Sequence, residues 1–214
     1  MNWADLVLHP TAPVIPAAWA LQWGRSIAWA VVLACLGAML FRRQSRTVRL
    51  AMATALALWA LVPGEVSPSF WLALAFQSPS LVGCLLCGYA LAGLLTGAGL
   101  RARWPSAPAQ AALMQGCAWA GVVLGYLLLL DTLALLPFQL YAWGFGPLAL
   151  ACALVVSCLP WVAGMRGPLS WTAPLALLVF ALTRLPSGNL WDALLDPITW
   201  LALHVVLLAK ARER

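Results

Sequence analysis

The sequence predicts an all-α fold: a polytopic transmembrane helix bundle of about seven spans, with the N-terminus outside, the C-terminus cytoplasmic and short interfacial helices on the outer face. Three observations carry this expectation. Of the 214 residues, 64% are hydrophobic and only 8% charged, with mean hydropathy +0.93. A soluble domain carries about 25% charged residues, so these charges are too few to cover a water-facing surface. Apolar stretches recur along the whole chain, and ten of the twelve basic residues and five of the six acidic residues fall on opposite sides of the topology those stretches define.

The apolar stretches run 17–41, 48–62, 79–100, 109–130, 147–163, 169–185 and 197–209. Crossing about 30 Å of hydrocarbon takes about 20 apolar residues. The second, sixth and seventh stretches fall short, a mismatch met by local thinning, snorkelling or extra helix at the ends. The seventh gains length if 190–195 continues it through a kink at Pro197. The second also reads as a re-entrant element, which would invert everything before it. The whole chain, 1–214, is expected to form a single transmembrane domain.

Arg42, Arg43, Arg46 and Arg49 lie between the first two spans, Arg101 and Arg103 between the third and fourth, and Arg166 between the fifth and sixth. Lys210, Arg212 and Arg214 follow the seventh. Seven spans put all of these on one side, which the positive-inside rule makes cytoplasmic. The net charge of +6 therefore reads as orientation, not as a nucleic-acid surface. The opposite loops hold Asp5, Glu65, Asp131, Asp192 and Asp196. No cleavable signal peptide is expected, because the first positive charge, Arg25, already lies inside the first apolar stretch. Every basic residue except Lys210 is Arg, and Ala, Leu and Pro abound. That usage points to a GC-rich bacterial genome, and so to the bacterial inner (plasma) membrane.

Each inward-running helix opens at or beside a proline: Pro16, Pro79, Pro147 and Pro197. Proline suits the first helical position because that N–H lacks a partner anyway. Ser78 and Asp196 precede two of these prolines as N-caps. Ahead of three of the starts lie aromatic segments at 69–76, 140–145 and 190–195, read as short helices in the outer interface. Trp71, Trp143 and Trp191 within them fit an aromatic belt, or alternatively a platform for lipid head groups. Gly93 with Gly97 and Gly121 with Gly125 form small-residue grooves that admit close helix approach. They predict that the third and fourth spans pack as an antiparallel hairpin, with a homo-oligomer contact as the alternative.

Ionisable groups at membrane depth raise functional hypotheses. Asp192 and Asp196 are four apart, on one face of a continuous helix. With Glu65 and Asp131 they form a candidate catalytic, cation or proton site, against a plain reading in which Asn189 and Asp196 cap helices. Arg184 is expected to pair with Asp192 or Asp196 across the turn 185–189, or alternatively to bind a phosphate bidentately. Arg25 is expected to snorkel outward or to pair with Glu65 or Asp131. His204, mid-span, is expected to hydrogen-bond to a neighbouring helix.

Other chemistry is set aside. Cys84 and Cys87 have CxxC spacing without a second pair, so no metal is expected. The six cysteines all lie in apolar stretches, where disulfides are not expected. Ser187 and His204 lack the context of a Ser–His dyad. Lys210 sits too near the end of its span for a mid-helix Schiff base. No phosphate-cradling glycine loop or dinucleotide fingerprint occurs, and no cofactor is expected. The leading functional expectation is an accessory or scaffold subunit of a bacterial envelope membrane complex. The first alternative is an outer-leaflet enzyme or binder acting on a lipid or lipid-linked sugar, with Glu65, Asp131, Asp192 and Asp196 as its acids and Arg184, Trp71, Trp143 and Trp191 as its contacts. The second alternative is a small transporter. Expected partners are the bilayer and a membrane protein, without nucleic acid; the sequence leaves the oligomeric state open.

Overall fold

The computed structural model describes residues 15–96 and 107–212, and every regular element among them is a helix. Two helices are long and apolar enough to cross a membrane: α1, Ala18–Leu40, and α5, Pro108–Thr132. At 1.5 Å per residue, the 25 residues of α5 reach about 37 Å. The other expected spans form shorter helices: α2 (Arg46–Leu61), α4 (Leu81–Thr96), α7 (Pro147–Ser157) with α8 (Leu159–Val162), α9 (Leu169–Thr183) and α11 (Pro197–Arg212). By length and apolarity alone, two spans thus stand where seven are expected.

Local chemistry sets where these helices begin and end. α2 is capped at its start by Ser45, whose hydroxyl accepts from Val48 N–H at 3.3 Å, and stops at Val62 in extended backbone before Pro63. The fifth stretch breaks at Cys158, because Pro160 lacks the N–H that would continue the ladder. α9 ends where Arg184 turns left-handed, φ 57° and ψ 17°. The third span opens at Leu81, two residues later than Pro79: Ser80, not Ser78, caps it by accepting from Gly83 N–H at 2.9 Å. Residues 97–106, including Gly97, Arg101 and Arg103, lie outside the described chain, as do Asp5, His9 and Arg214.

Three short helices form at the expected aromatic segments: α3 (Pro68–Phe76), α6 (Leu140–Trp143) and α10 (Leu190–Leu194). α10 does not extend α11 through a kink. Leu195 lies in extended backbone between them, φ −141° and ψ 133°, which turns the chain before Asp196.

α1 and α2 pack most extensively, through small residues: Ala34, Ala38 and Ala53 form a buried cluster with Leu94 of α4. α4 is the hub, touching α1, α9 and α10. A second cluster joins Leu177 and Phe180 of α9 to Leu190 and Ala193 of α10. Among the described residues, the third and fourth spans do not pack as the expected hairpin. α5 packs on α11 instead, with Ala118 and Val122 against Leu207. Its glycine groove receives α11 side chains, so that a Cβ on Gly121 would stand 2.6 Å from Leu203 and one on Gly125 2.2 Å from Trp200. A glycine groove specifies closeness, not which helix fills it.

The perimeter is apolar. Trp19 is 71% exposed, Leu182 77% and Val162 83%, and only Ala118 and Val122 of α5 are buried. Exposed apolar surface on this scale marks contact with a membrane or another protein, and two helices of spanning length point to membrane association.

Candidate functional site

One cavity of about 720 Å³ lies where helix ends converge. The start of α1 gives Leu21 and Arg25, and the end of α3 and the link beyond it give Phe76, Gln77 and Ser78. The end of α5 contributes Thr132, and the segment from α9 to α11 contributes Ser187, Asp192 and Asp196. The volume falls in the range of about 300–1,000 Å³ typical of small-molecule sites.

Asp196 is buried, and its carboxylate is fully engaged. Oδ1 accepts from Ile198 N–H at 2.8 Å and Thr199 N–H at 2.9 Å, capping α11. Oδ2 accepts from Ser80 N–H at 2.8 Å, the Ser80 hydroxyl at 2.5 Å and the Thr199 hydroxyl at 2.8 Å. One carboxylate thus serves the N-termini of α4 and α11, where both macrodipoles favour negative charge. Gly83 makes room for it: a Cβ there would stand 2.4 Å from Thr199 Oγ1 and 2.8 Å from Asp196 Oδ2.

Asp192 differs. Its Oδ2 accepts from the Tyr141 hydroxyl at 2.7 Å and from the Ser187 hydroxyl. No protein hydrogen bond engages Oδ1, among the described residues. Ser187 is itself held by Asn189 N–H at 3.2 Å, and Asn189 caps α10 by accepting from Trp191 N–H at 2.9 Å. Burial first, and the hydrogen bond to Asp192 second, push the Tyr141 phenol above its usual value near 10. Tyr141 therefore stays a donor toward the carboxylate.

Arg25 lines the same cavity. It forms no ion pair or hydrogen bond among the described residues; the expected pairing with Glu65 or Asp131 is absent. Asp131 is instead engaged by Tyr141 N–H at 2.7 Å. Glu65 is exposed and touches Trp71 through its backbone carbonyl, 2.7 Å from Nε1. Neither residue lines the cavity. Arg184 also departs from expectation: its guanidinium lies 5.3 Å over the Phe180 ring and pairs with neither aspartate. The left-handed turn at Arg184 directs it back along α9, while Asp192 and Asp196 take hydroxyl and amide donors.

Of the aromatic candidates, Trp71 packs edge-on to Phe70 and Trp143 stacks on Phe138. Trp191 donates to Leu140 carbonyl at 2.9 Å, tying α10 to α6. None of the three lines the cavity. His204 bonds within its own helix, Nδ1 2.8 Å from the Trp200 carbonyl, with Tyr126 and Trp200 edge-on to its ring. The expected bond to another helix gives way to the nearer i−4 carbonyl. All six cysteines are free.

Sequence reasoning missed Arg25 and Gln77 as cavity residues, and Ser80 as the partner of Asp196. Gln77 carried a weak signal, as a polar residue between an aromatic helix and Ser78-Pro79. The arrangement can bind: it offers a guanidinium, a carboxylate oxygen and hydroxyls on one wall system. No family model, curated protein or solved structure matches the chain.

Proposed function

We propose that this chain is a multi-pass protein of the bacterial inner membrane whose outer face binds the polar headgroup of a lipid or lipid-linked sugar. The observation that carries this reading is the cavity in which Arg25 and Asp192 stand together without pairing. Charged groups lining one largely apolar cavity, each with unused hydrogen-bonding capacity, suit a ligand better than a packed core.

The seven-span, N-out topology belongs to this proposal. The starts of α1 and α11 and the end of α5 meet at the cavity, and the start of α4 joins them through Ser80. That alternation fits helices running up and down across one layer. Arg42 and Arg43, in the turn between α1 and α2, and Arg46 and Arg49, at the start of α2, then lie on the cytoplasmic side. Helices of 16 residues, such as α2 and α11, reach about 24 Å and require local thinning of the bilayer. The cavity then opens at the outer leaflet, within reach of headgroups.

The test is purification from native membrane in a mild detergent, with identification of every co-eluting lipid and protein. Enrichment of one lipid class with wild-type protein, lost in Arg25→Gln, supports headgroup binding. A stoichiometric protein partner, with lipid content at bulk composition in both, returns the accessory-subunit reading to first place.

A further inference from the structure

We infer that the occupant of this cavity is a zwitterion: a phosphate joined by a short linker to a primary ammonium. The inference rests on reading the cavity as a headgroup site, and adds the chemistry of what fills it.

The lining carries charges of both signs. Arg25 presents a guanidinium whose planar fork matches two oxygens of a phosphate. Asp192 lines the same cavity with Oδ1 free of protein hydrogen bonds among the described residues, while Oδ2 accepts from Tyr141 and Ser187. These two hydroxyls hold the carboxylate in place and leave one oxygen available. A carboxylate accepts but does not donate, so its ligand partner must bring N–H or O–H groups, and an ammonium also answers its charge. The third charged residue, Asp196, is consumed by five protein donors and contributes only to the wall. A purely anionic headgroup satisfies Arg25 but meets uncompensated repulsion at Asp192. A headgroup with both signs answers each wall.

Gln77 supports a built site. Its backbone lies at φ 59° and ψ −125°, a conformation that favours glycine, yet a polar side chain is kept there on the cavity lining. The same phosphate–ammonium chemistry occurs at the head of phosphatidylethanolamine and in free phosphoethanolamine.

The experiment reconstitutes the full chain with equal amounts of phosphatidylethanolamine, phosphatidylglycerol and phosphatidylcholine of identical acyl chains. Retained lipids are counted by native mass spectrometry. Phosphatidylethanolamine is expected to be retained about tenfold over phosphatidylglycerol, which lacks the ammonium, and ahead of phosphatidylcholine, whose ammonium has no N–H. Asp192→Asn should bring phosphatidylethanolamine and phosphatidylglycerol to within about twofold of each other, and Arg25→Gln should lower the retention of all three. With retention still dependent on Arg25, equal retention of phosphatidylethanolamine and phosphatidylglycerol by wild-type protein overturns the zwitterion, and equal retention of phosphatidylethanolamine and phosphatidylcholine overturns the primary ammonium; either leaves headgroup binding standing. Retention indifferent to Arg25 overturns both. The wild-type comparison needs no variant to fold. Added phosphoethanolamine separates the sources: displacement of the retained lipid supports recognition of the free headgroup, and retention without displacement supports the same zwitterion presented by a membrane lipid.

Discussion

Asp196 and Ser80 join the starts of two helices: both the backbone N–H and the hydroxyl of Ser80 donate to Asp196 Oδ2, at 2.8 and 2.5 Å. Ser80 opens α4, Asp196 opens α11, and 116 residues separate them in the chain. A buried carboxylate is tolerated because every lone-pair direction has a donor and two helix dipoles point at it. The bond fixes one wall of the cavity.

Removing the carboxylate strands the Ser80 N–H and uncaps α11. Asp196→Ala is expected to cost about 2–4 kcal/mol of stability, and Ser80→Ala about 1–2 kcal/mol. Thermal unfolding of the purified protein in detergent checks both. Asp192→Asn, which keeps an oxygen for its hydroxyl donors, should move the midpoint far less than Asp196→Ala. Equal losses at Asp192 and Asp196 would contradict the division between a structural aspartate and a ligand-facing one.

Gly83 and Gly116 separate two meanings of glycine in a helix. A Cβ at Gly83 would collide with Thr199 and Asp196, whereas nothing lies within 4 Å at Gly116. Gly83→Ala should destabilise by about 1–3 kcal/mol through overpacking. Gly116→Ala should be neutral or stabilise by up to about 1 kcal/mol through helix propensity. The same unfolding measurement reads both, and the order Gly83→Ala more stable than Gly116→Ala is the result that does not fit.

Tyr141 is expected to ionise above the usual tyrosine range, because burial and Asp192 both disfavour the phenolate. Since the folded-state pKa is raised, the associated stability is fully present below pH about 10, the unfolded value. It is lost as pH rises through the folded value. Ultraviolet titration of the wild type against Tyr141→Phe should show one late-ionising tyrosine, and Asp192→Asn should bring it earlier. An unchanged titration in Asp192→Asn would remove that aspartate as a cause.

Orientation is checked in a cysteine-free background with a membrane-impermeant maleimide. Leu135→Cys, in the exposed turn between α5 and α6, should label in intact cells. Arg166→Cys, exposed between α8 and α9, should label only after permeabilisation. The reverse pattern inverts the topology and puts the cavity at the inner leaflet.

Local chemistry was legible in the sequence. Pro147 and Pro197 open their helices, Asn189 and Asp196 cap theirs, and the aromatic segments form α3, α6 and α10. Capping depends on residues two or three apart, so spacing encodes it. Pairings across the fold were not legible. Gly121 and Gly125 advertise a groove, but only the fold selects Leu203 and Trp200 to fill it. Asp192 as a candidate could be read from its position, yet its partner Tyr141 lies 51 residues away. Arg25 looked like a snorkelling residue because nothing near it in sequence marks a cavity. The fifth span was over-read where Pro160 cuts an apolar run that hydropathy alone would continue.

The most direct test of a headgroup site places a photo-crosslinking phenylalanine analogue at Phe76, on the cavity lining, and at Leu182, on the exposed perimeter. After irradiation in native membrane, the lipid adducts are identified by mass spectrometry. The account predicts one dominant headgroup class at position 76, diminished by Arg25→Gln, and bulk membrane composition at position 182. Bulk composition at both positions, or adducts at 76 that ignore Arg25, would contradict it.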